Sequence, residues 1–219
     1  MIIDFPAIVA VDINPLLADA DGAIALDARI EIEPARVEEI GPNRALVIRP
    51  YPAGWEKDLS SNGLDFHIRP IKPADVTLYP DFLARVSPDD IRLRFLAPRK
   101  SFSDNMLKRL TQLDYDRDMA FVALEKGGAL AGVGRLSSDP DGAVAEYALV
   151  VRTDLQGHGL GWSLLGHMID YARSKKIGRI EGIVLGENDK MLTMCREFGF
   201  LVTHHPQEPG LRPVVLTLA

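Results

Sequence analysis

The stretch that decides the fold is Tyr147-Ala-Leu-Val-Val-Arg-Thr-Asp-Leu-Gln-Gly-His-Gly-Leu-Gly161. An apolar strand runs into a turn with Gly157, Gly159 and Gly161, and the turn opens directly into a helix. So little side-chain bulk lets backbone N–H groups close on an anion, with the helix N-terminus pointing at it. A phosphate or pyrophosphate is the natural ligand. The segment is not a Walker loop, because Gly-Lys-Ser/Thr is missing. It is not a Rossmann fingerprint either, because it does not follow the first strand and its spacing is Gly-x-Gly-x-Gly. A glycine turn that serves only tight strand–helix packing is the other reading, and the motif alone leaves both open.

Working outward, Leu160 to Lys175 predicts an amphipathic helix, with Leu164, Leu165, Met168, Ile169 and Ala172 on one face. Ala143 to Val151 predicts the strand before it. Upstream, Met119–Leu124 and Leu130–Leu136 predict strands joined around Gly127-Gly128. Phe66 to Pro70 predicts another strand. Asp75 to Val86 predicts a helix kinked or interrupted near Pro80. Ser87-Pro88-Asp89-Asp90 is a helix start, with Ser as cap, Pro in the first turn and acids beside the positive dipole end. Ser103 to Leu113 has helical spacing. Downstream, Ile180–Leu185 predicts a strand, Asp189–Phe198 a helix, and Phe200–His204 and Val214–Leu218 closing strands. The order predicts an α/β (α+β) fold, a mixed sheet covered by helices rather than a clean βαβ repeat.

The first 65 residues differ. They hold 5 basic and 12 acidic side chains, net −7, against 20 and 19, net +1, for residues 66–219. That imbalance predicts a separate module. Ile8–Val11 and Ala23–Ile30, flanking the turn Asp19-Ala-Asp-Gly22, predict a hairpin too small to be stable alone. Pro34 to Asn43 is polar and punctuated by Pro34, Gly41 and Pro42. Tyr51-Pro-Ala-Gly-Trp55 and Ser60-Ser-Asn-Gly63 predict a linker, giving 1–50, 51–65 and 66–219 as module, linker and domain. At 219 residues, 47% hydrophobic and 26% charged, the chain is globular in composition. An acidic chain with no Lys/Arg run is a poor nucleic-acid binder. No apolar run is long enough for a bilayer, and five Asp without Lys or Arg in the first 28 residues argue against a secretory signal. One cysteine, Cys195, fits a reducing cytoplasm and removes any Cys-based zinc site. No metal site is expected at His204-His205.

Gln156-Gly-His-Gly-Leu-Gly161 resembles the Gln/Arg-x-x-Gly-x-Gly/Ala signature of the Gcn5-related N-acetyltransferases (GNAT fold), and Asn188…Cys195-Arg-Glu-Phe-Gly-Phe200 is similar to that family's later Asn…Gly-Phe segment. The resemblance covers roughly Phe66 to Leu218. It implies a mixed central sheet with a splayed strand pair and acetyl-CoA as co-substrate, without a metal. The pyrophosphate would lie on the loop at Gln156, Gly157, His158, Gly159, Leu160, Gly161 and Trp162, with Asn188 beside it. The pantetheine arm would lie on the strand backbone of Leu149, Val150 and Val151. Ile-Arg-Pro-Ile-Lys-Pro-Ala-Asp at 68–75, Arg-Leu-Arg-Phe-Leu at 92–96 and Asp-Tyr-Asp-Arg-Asp-Met-Ala-Phe-Val-Ala at 114–123 resemble the bacterial Pat-type protein lysine acetyltransferases. In those, a domain like the NDP-forming acyl-CoA synthetases is fused to the GNAT domain. Val11-Asp-Ile-Asn-Pro-Leu16 with Ala25-Leu-Asp-Ala-Arg29 resembles the last hairpin of the ATP-grasp domain in such synthetases, where the matching Asn and Asp ligate magnesium. The nucleotide-binding lobes are absent, so nucleotide binding by Asn14 and Asp27 is not expected. The expectation is the C-terminal end of a larger Pat-like protein, or a truncated product.

Acetyl transfer needs a neutral amine, and a lysine with pKa ~10.4 needs a general base. Glu146 is the candidate, a carboxylate inside the apolar run Val144-Ala-Glu-Tyr-Ala148. Burial there would raise its pKa. The competing reading is an acid on the exposed side of an alternating strand. Its place ten residues before Gln156 also matches the GNAT strand glutamate. A strand amide near Leu149 is expected to hold the thioester carbonyl. Many GNATs place a Tyr four residues before the Gly-Phe pair to protonate the thiolate. Here that position is Cys195, so the proton would come from water, from the new ammonium, or from Cys195. Trp162 reads as core or as a lid. Asp114, Asp116 and Asp118 read either as a lure for a lysine or as a solvated turn. The expectation is a cytoplasmic protein Nε-lysine acetyltransferase whose partners are AMP-forming acyl-CoA synthetases, with no nucleic-acid or membrane partner. The alternatives are a GNAT for a small amine or peptide N-terminus, a CoA-sensing module without turnover, and an ATP-using synthetase subunit.

Overall fold

The computed structural model describes residues 2, 4–39, 43, 49–99 and 101–218. The chain divides into two compact units, Met1–Pro50 and Tyr51–Ala219.

In the first unit, β1 (Ile8–Ile13) and β2 (Leu16–Ala18) double back as β3 (Ala23–Ala25) and β4 (Ala28–Ile32). β1 pairs antiparallel with β4, and β2 with β3, so one hairpin is interrupted once along its length. The Asp19 carboxylate accepts from the N–H groups of Asp21 and Gly22 and makes the turn. The expected single strand over Ala23–Ile30 is split in two at Leu26-Asp27. Most of the hairpin's apolar side chains, Leu16, Leu17, Ile24 and Ile32 among them, are exposed. The Gly41-Pro42 punctuation lies outside the described residues.

The second unit begins with a 3-10 turn, Ala53–Trp55, and then β5 (Lys57–Ser61) and β6 (Leu64–Pro70). This corrects the linker expected over 51–65. β5 pairs antiparallel with β6 from Lys57↔Ile68 to Ser61↔Leu64, and Trp55 packs against Phe121 and Tyr171. Next come α1 (Tyr79–Ala84), α2 (Pro88–Phe95) and α3 (Asp104–Thr111). The helix expected over Asp75–Val86 is interrupted just before Pro80: a 3-10 stretch, Pro73–Leu78, leads into α1, and Pro80 sits in the first turn of α1. Asp75 is buried against Arg69, with Nη2 2.6 Å away, and takes the Lys72 N–H at 2.7 Å. Ser87 and Ser103 cap α2 and α3 through the N–H groups of Asp90 and Met106.

The chain continues through β7 (Asp118–Glu125), β8 (Leu130–Ser138), β9 (Val144–Val151), α4 (Leu160–Ser174), β10 (Arg179–Leu185), α5 (Asp189–Glu197), β11 (Leu201–Val202) and β12 (Leu211–Thr217). Among the described residues, the second unit's eight strands run in the order β11-β12-β10-β9-β8-β7-β6-β5. Every pairing is antiparallel except β9–β10. One face is covered by α4 and α5 over Phe121, Leu136, Leu164, Met168 and Cys195. The other is covered by α1–α3 over Ile71, Phe82, Ile91 and Val122. This is the α+β fold with a mixed sheet that the sequence predicts.

Candidate active site

β9 and β10 pair at Arg179↔Val144, Ile180↔Ala145 and Glu181↔Glu146, and no further. Beyond that point β9 stays with β8 as far as Val151, and β10 stays with β12 as far as Leu185. The two strands therefore open into a V whose vertex is Glu146. Tyr147 is the first residue inside it. A Cβ on Gly182 would stand 2.7 Å from the Tyr147 ring, so the missing side chain makes room for that ring where the strands part. The Tyr147 hydroxyl lies 3.1 Å from Cys195 Sγ. Both groups are buried, and burial pushes both pKa values up, so neither is a ready proton donor.

The V opens into a cleft of about 590 Å3. One wall is β9 and the start of α4, another is α2, and a third is β10 and α5. At its far end the chain turns through the 3-10 stretch Thr153–Leu155 to Gly157 and Gly159, both left-handed at φ 82° and 79°. Gly159 is the N-cap of α4, with no side-chain cap and no acid in the first turn. The N–H groups of the first helical turn thus face the cleft without intrahelical partners. A Cβ on Gly159 would stand 2.9 Å from Ser61 Oγ, and that hydroxyl donates to the His158 carbonyl at 2.6 Å. β5 therefore braces the turn. The arrangement leaves backbone donors uncommitted where an anion could be held, one of the two readings that the glycine spacing raises.

Of the sequence-derived site residues, Glu146, Leu149, Val150, Val151, Gln156, Gly157, Gly159, Gly161, Trp162 and Asn188 line this one cleft. His158 and Leu160 do not. Leu160 is buried in the core, and only the backbone of these two residues belongs to the turn. Trp162 is 51% exposed, with its ring 4.5 Å from that of Phe198, which removes the core reading. Asn188 caps α5 through the Met191 N–H at 3.1 Å, and Lys190 donates to Gln156 Oε1 at 3.2 Å.

Glu146 corrects the expectation of burial. Its carboxylate is exposed. Along β9 the side chains of Ala145, Tyr147, Leu149 and Val151 face the core, and alternation turns Glu146 to the other side. α2 partly covers that side at Ala148 and Val150 but leaves the vertex open. What recommends Glu146 is its place at the vertex of the V, not a dry environment.

Three contributions from α2 were not anticipated. The Asp90 carboxylate is opposed by burial, but hydrogen bonds from Thr153, Gln156 and Ser87 outweigh that and hold it below the usual carboxylate range. Arg92 pairs with Glu187 and so joins α2 to the loop after β10. Arg94 lines the cleft beside Glu146. A sequence signal for Arg94 existed: it stands three residues after Ile91, on the face that α2 buries.

The acidic stretch at 114–118 is a turn. Asp114 Oδ1 accepts from the N–H groups of Asp116, Arg117 and Asp118, and Asp118 pairs with Arg135 at 3.1 Å. Among the described residues, no three His, Cys, Asp or Glu side chains are grouped to hold a metal. Nor is any helix among them long and apolar enough to cross a membrane.

The sequence matches the family described as acetyltransferase (GNAT) over residues 89–200, and an ATP-grasp domain family over residues 1–32. Acetyltransferase PA5475 of Pseudomonas aeruginosa is 31% identical over 70% of this chain and 84% of its own length. The acetyltransferase Pat of Mycolicibacterium smegmatis is 28% identical over 61% of this chain, which spans 40% of that protein. The GNAT domain of Streptomyces lividans PAT superposes with a TM-score of 0.71 at 28% identity, over 77% of this chain and all of that one.

Proposed function

Since the chain belongs to the GNAT family of acetyltransferases, we propose that it is an acetyl-CoA-dependent protein Nε-lysine acetyltransferase whose acceptors are AMP-forming acyl-CoA synthetases. The observation that carries the reading is the V itself, with a carboxylate at its vertex and an uncapped helix N-terminus at its far end. The backbone of Gln156–Trp162 holds the pyrophosphate, helped by Asn188. The strand edge at Leu149–Val151, which has no β10 partner, takes the amide groups of the pantetheine arm. A strand N–H near Leu149 holds the thioester carbonyl.

The lysine nitrogen attacks the acetyl carbonyl carbon, the C–S bond breaks, and the CoA thiolate leaves. Glu146 takes the proton that the amine sheds. The thiolate is protonated from water, since the Cys195 thiol is buried and held by Tyr147. Nothing in this chemistry needs a metal. The acceptor class rests on the likeness to Pat proteins, and a cytoplasmic location goes with it.

The test is thiol release from acetyl-CoA with purified AMP-forming acetyl-CoA synthetase as acceptor, with mass spectrometry to locate the acetyl group. Acetate on one synthetase lysine is expected. Glu146→Gln should keep acetyl-CoA affinity and lose roughly 10²- to 10⁴-fold in turnover, the scale of a general base. Full turnover in that variant would remove Glu146 from the role. Tight acetyl-CoA binding with no transfer to any lysine protein would sink the acceptor class.

A further inference from the structure

Among the described residues, Arg94 is a cation without a carboxylate partner. It lies in the last turn of α2, and its guanidinium packs over the Phe95 ring at 4.8 Å. Among the described residues its side chain makes no hydrogen bond and no ion pair. Burial works against its charge, the neighbouring Arg135 repels it, and Glu146 attracts it without pairing. Arg135 is already committed to Asp118. An arginine does not shed its proton to escape such a place. A mostly buried guanidinium beside a second one is therefore a standing cost, unless an anion arrives from outside the chain to relieve it.

Arg94 stands in the wall shared by the main cleft and a small cavity behind it, beside Ala148 and Val150. Those two residues follow Glu146 on the same side of β9. An ammonium at Glu146 and a carboxylate at Arg94 would thus be neighbours. The cavity beyond Arg94 holds about 30 Å3 and is lined mainly by Phe82, Leu83, Ile91 and other apolar side chains, so the anion meets Arg94 from the main cleft. That space suits a water or a methyl group but not a charged group. Resting on the lysine-acceptor reading above, we propose that Arg94 selects the acceptor by binding the carboxylate of an Asp or Glu next to the lysine being acetylated.

The test uses the full chain, acetyl-CoA and a set of peptides sharing one lysine, with Asp, Asn or Lys at the flanking positions. The acidic peptide should exceed the neutral one in kcat/KM by roughly 10- to 100-fold, the range of a charge-assisted hydrogen bond, and the basic peptide should be poorest. Added salt should shrink the spread. Arg94→Gln should flatten the ranking and Arg94→Glu should reverse it. The wild-type ranking needs no variant to fold, so a flat wild-type series overturns the assignment on its own. An unchanged ranking in Arg94→Gln does the same while leaving the lysine-acceptor reading intact. If small amines are acetylated and no lysine peptide is, that reading falls and takes the Arg94 assignment with it. If Arg94→Gln changes only the preference for succinyl-CoA over acetyl-CoA, the carboxylate belongs to the donor and the assignment is wrong.

Discussion

At the scale of single residues, the site is made by what a few side chains leave out. Gly159 has φ 79°, a region that costs other residues about 1–3 kcal/mol, and its absent Cβ clears Ser61. Gly159→Asp adds that strain, displaces the hydroxyl that braces the His158 carbonyl, and puts a carboxylate where an anion is to bind. Calorimetric titration should show acetyl-CoA affinity falling at least tenfold, and an unchanged Kd would refute the cradle. The three glycines were legible because they stand in sequence between a strand and a helix. Glu146 was legible as an oddity in an apolar run, but its environment was not. Alternation allows a strand carboxylate to face a core or a cleft, and the sequence of β9 alone does not say which side α2 leaves open. Trp162 was ambiguous for a like reason, since a helix residue next to a turn can face inward or outward.

At the scale of elements, long patterned segments were read well. The sequence reading for β9 and α4 agrees with the structure to within one residue at each end, because an apolar run before a glycine turn marks the first and a 3.6-residue apolar period marks the second. β5 was missed. Lys-Asp-Leu-Ser-Ser has one strongly apolar residue, and Tyr51-Pro-Ala-Gly-Trp55 is full of turn formers, so local preference pointed to a linker and pairing with β6 overrode it. The segment matters to α4. His167 Nε2 lies 3.0 Å from the Trp55 carbonyl oxygen, and the ring packs among Trp55 and Phe121. Burial holds the imidazole's pKa below its ordinary value. In the unfolded chain the same group takes a proton near pH 6.5. Below that pH the unfolded state binds a proton that the native state refuses, so stability falls as pH drops toward the folded pKa and is fully present above pH 6.5. Urea midpoints measured from pH 7.5 to 5.5 should fall in the wild type and fall less in His167→Gln. Parallel curves would show that His167 titrates alike in both states.

At the scale of the molecule, the chain holds two units of different character, and residues 51–65, expected as a linker after a module ending at 50, fall in the second unit. The charge imbalance signalled two parts, but it averaged over β5 and the start of β6, whose acids Asp58 and Asp65 were counted with the first part. The two readings make opposite predictions. A piece comprising 51–219 keeps Trp55 among Phe121, His167 and Tyr171, keeps the β5–β6 ladder, and keeps Ser61 under the anion turn. A piece comprising 66–219 loses all three. It exposes the edge of β6 and uncovers the Phe121, His167 and Tyr171 rings on which the half-buried Trp55 indole packs. The shorter piece should therefore melt well below the longer one, bind acetyl-CoA more weakly because the turn at His158 has lost its brace, and aggregate through the bared strand. Differential scanning calorimetry and acetyl-CoA titration on the two pieces decide it. Equal melting and equal affinity would make residues 51–65 a linker after all. A deficit confined to melting would separate the Trp55 plug from the Ser61 brace.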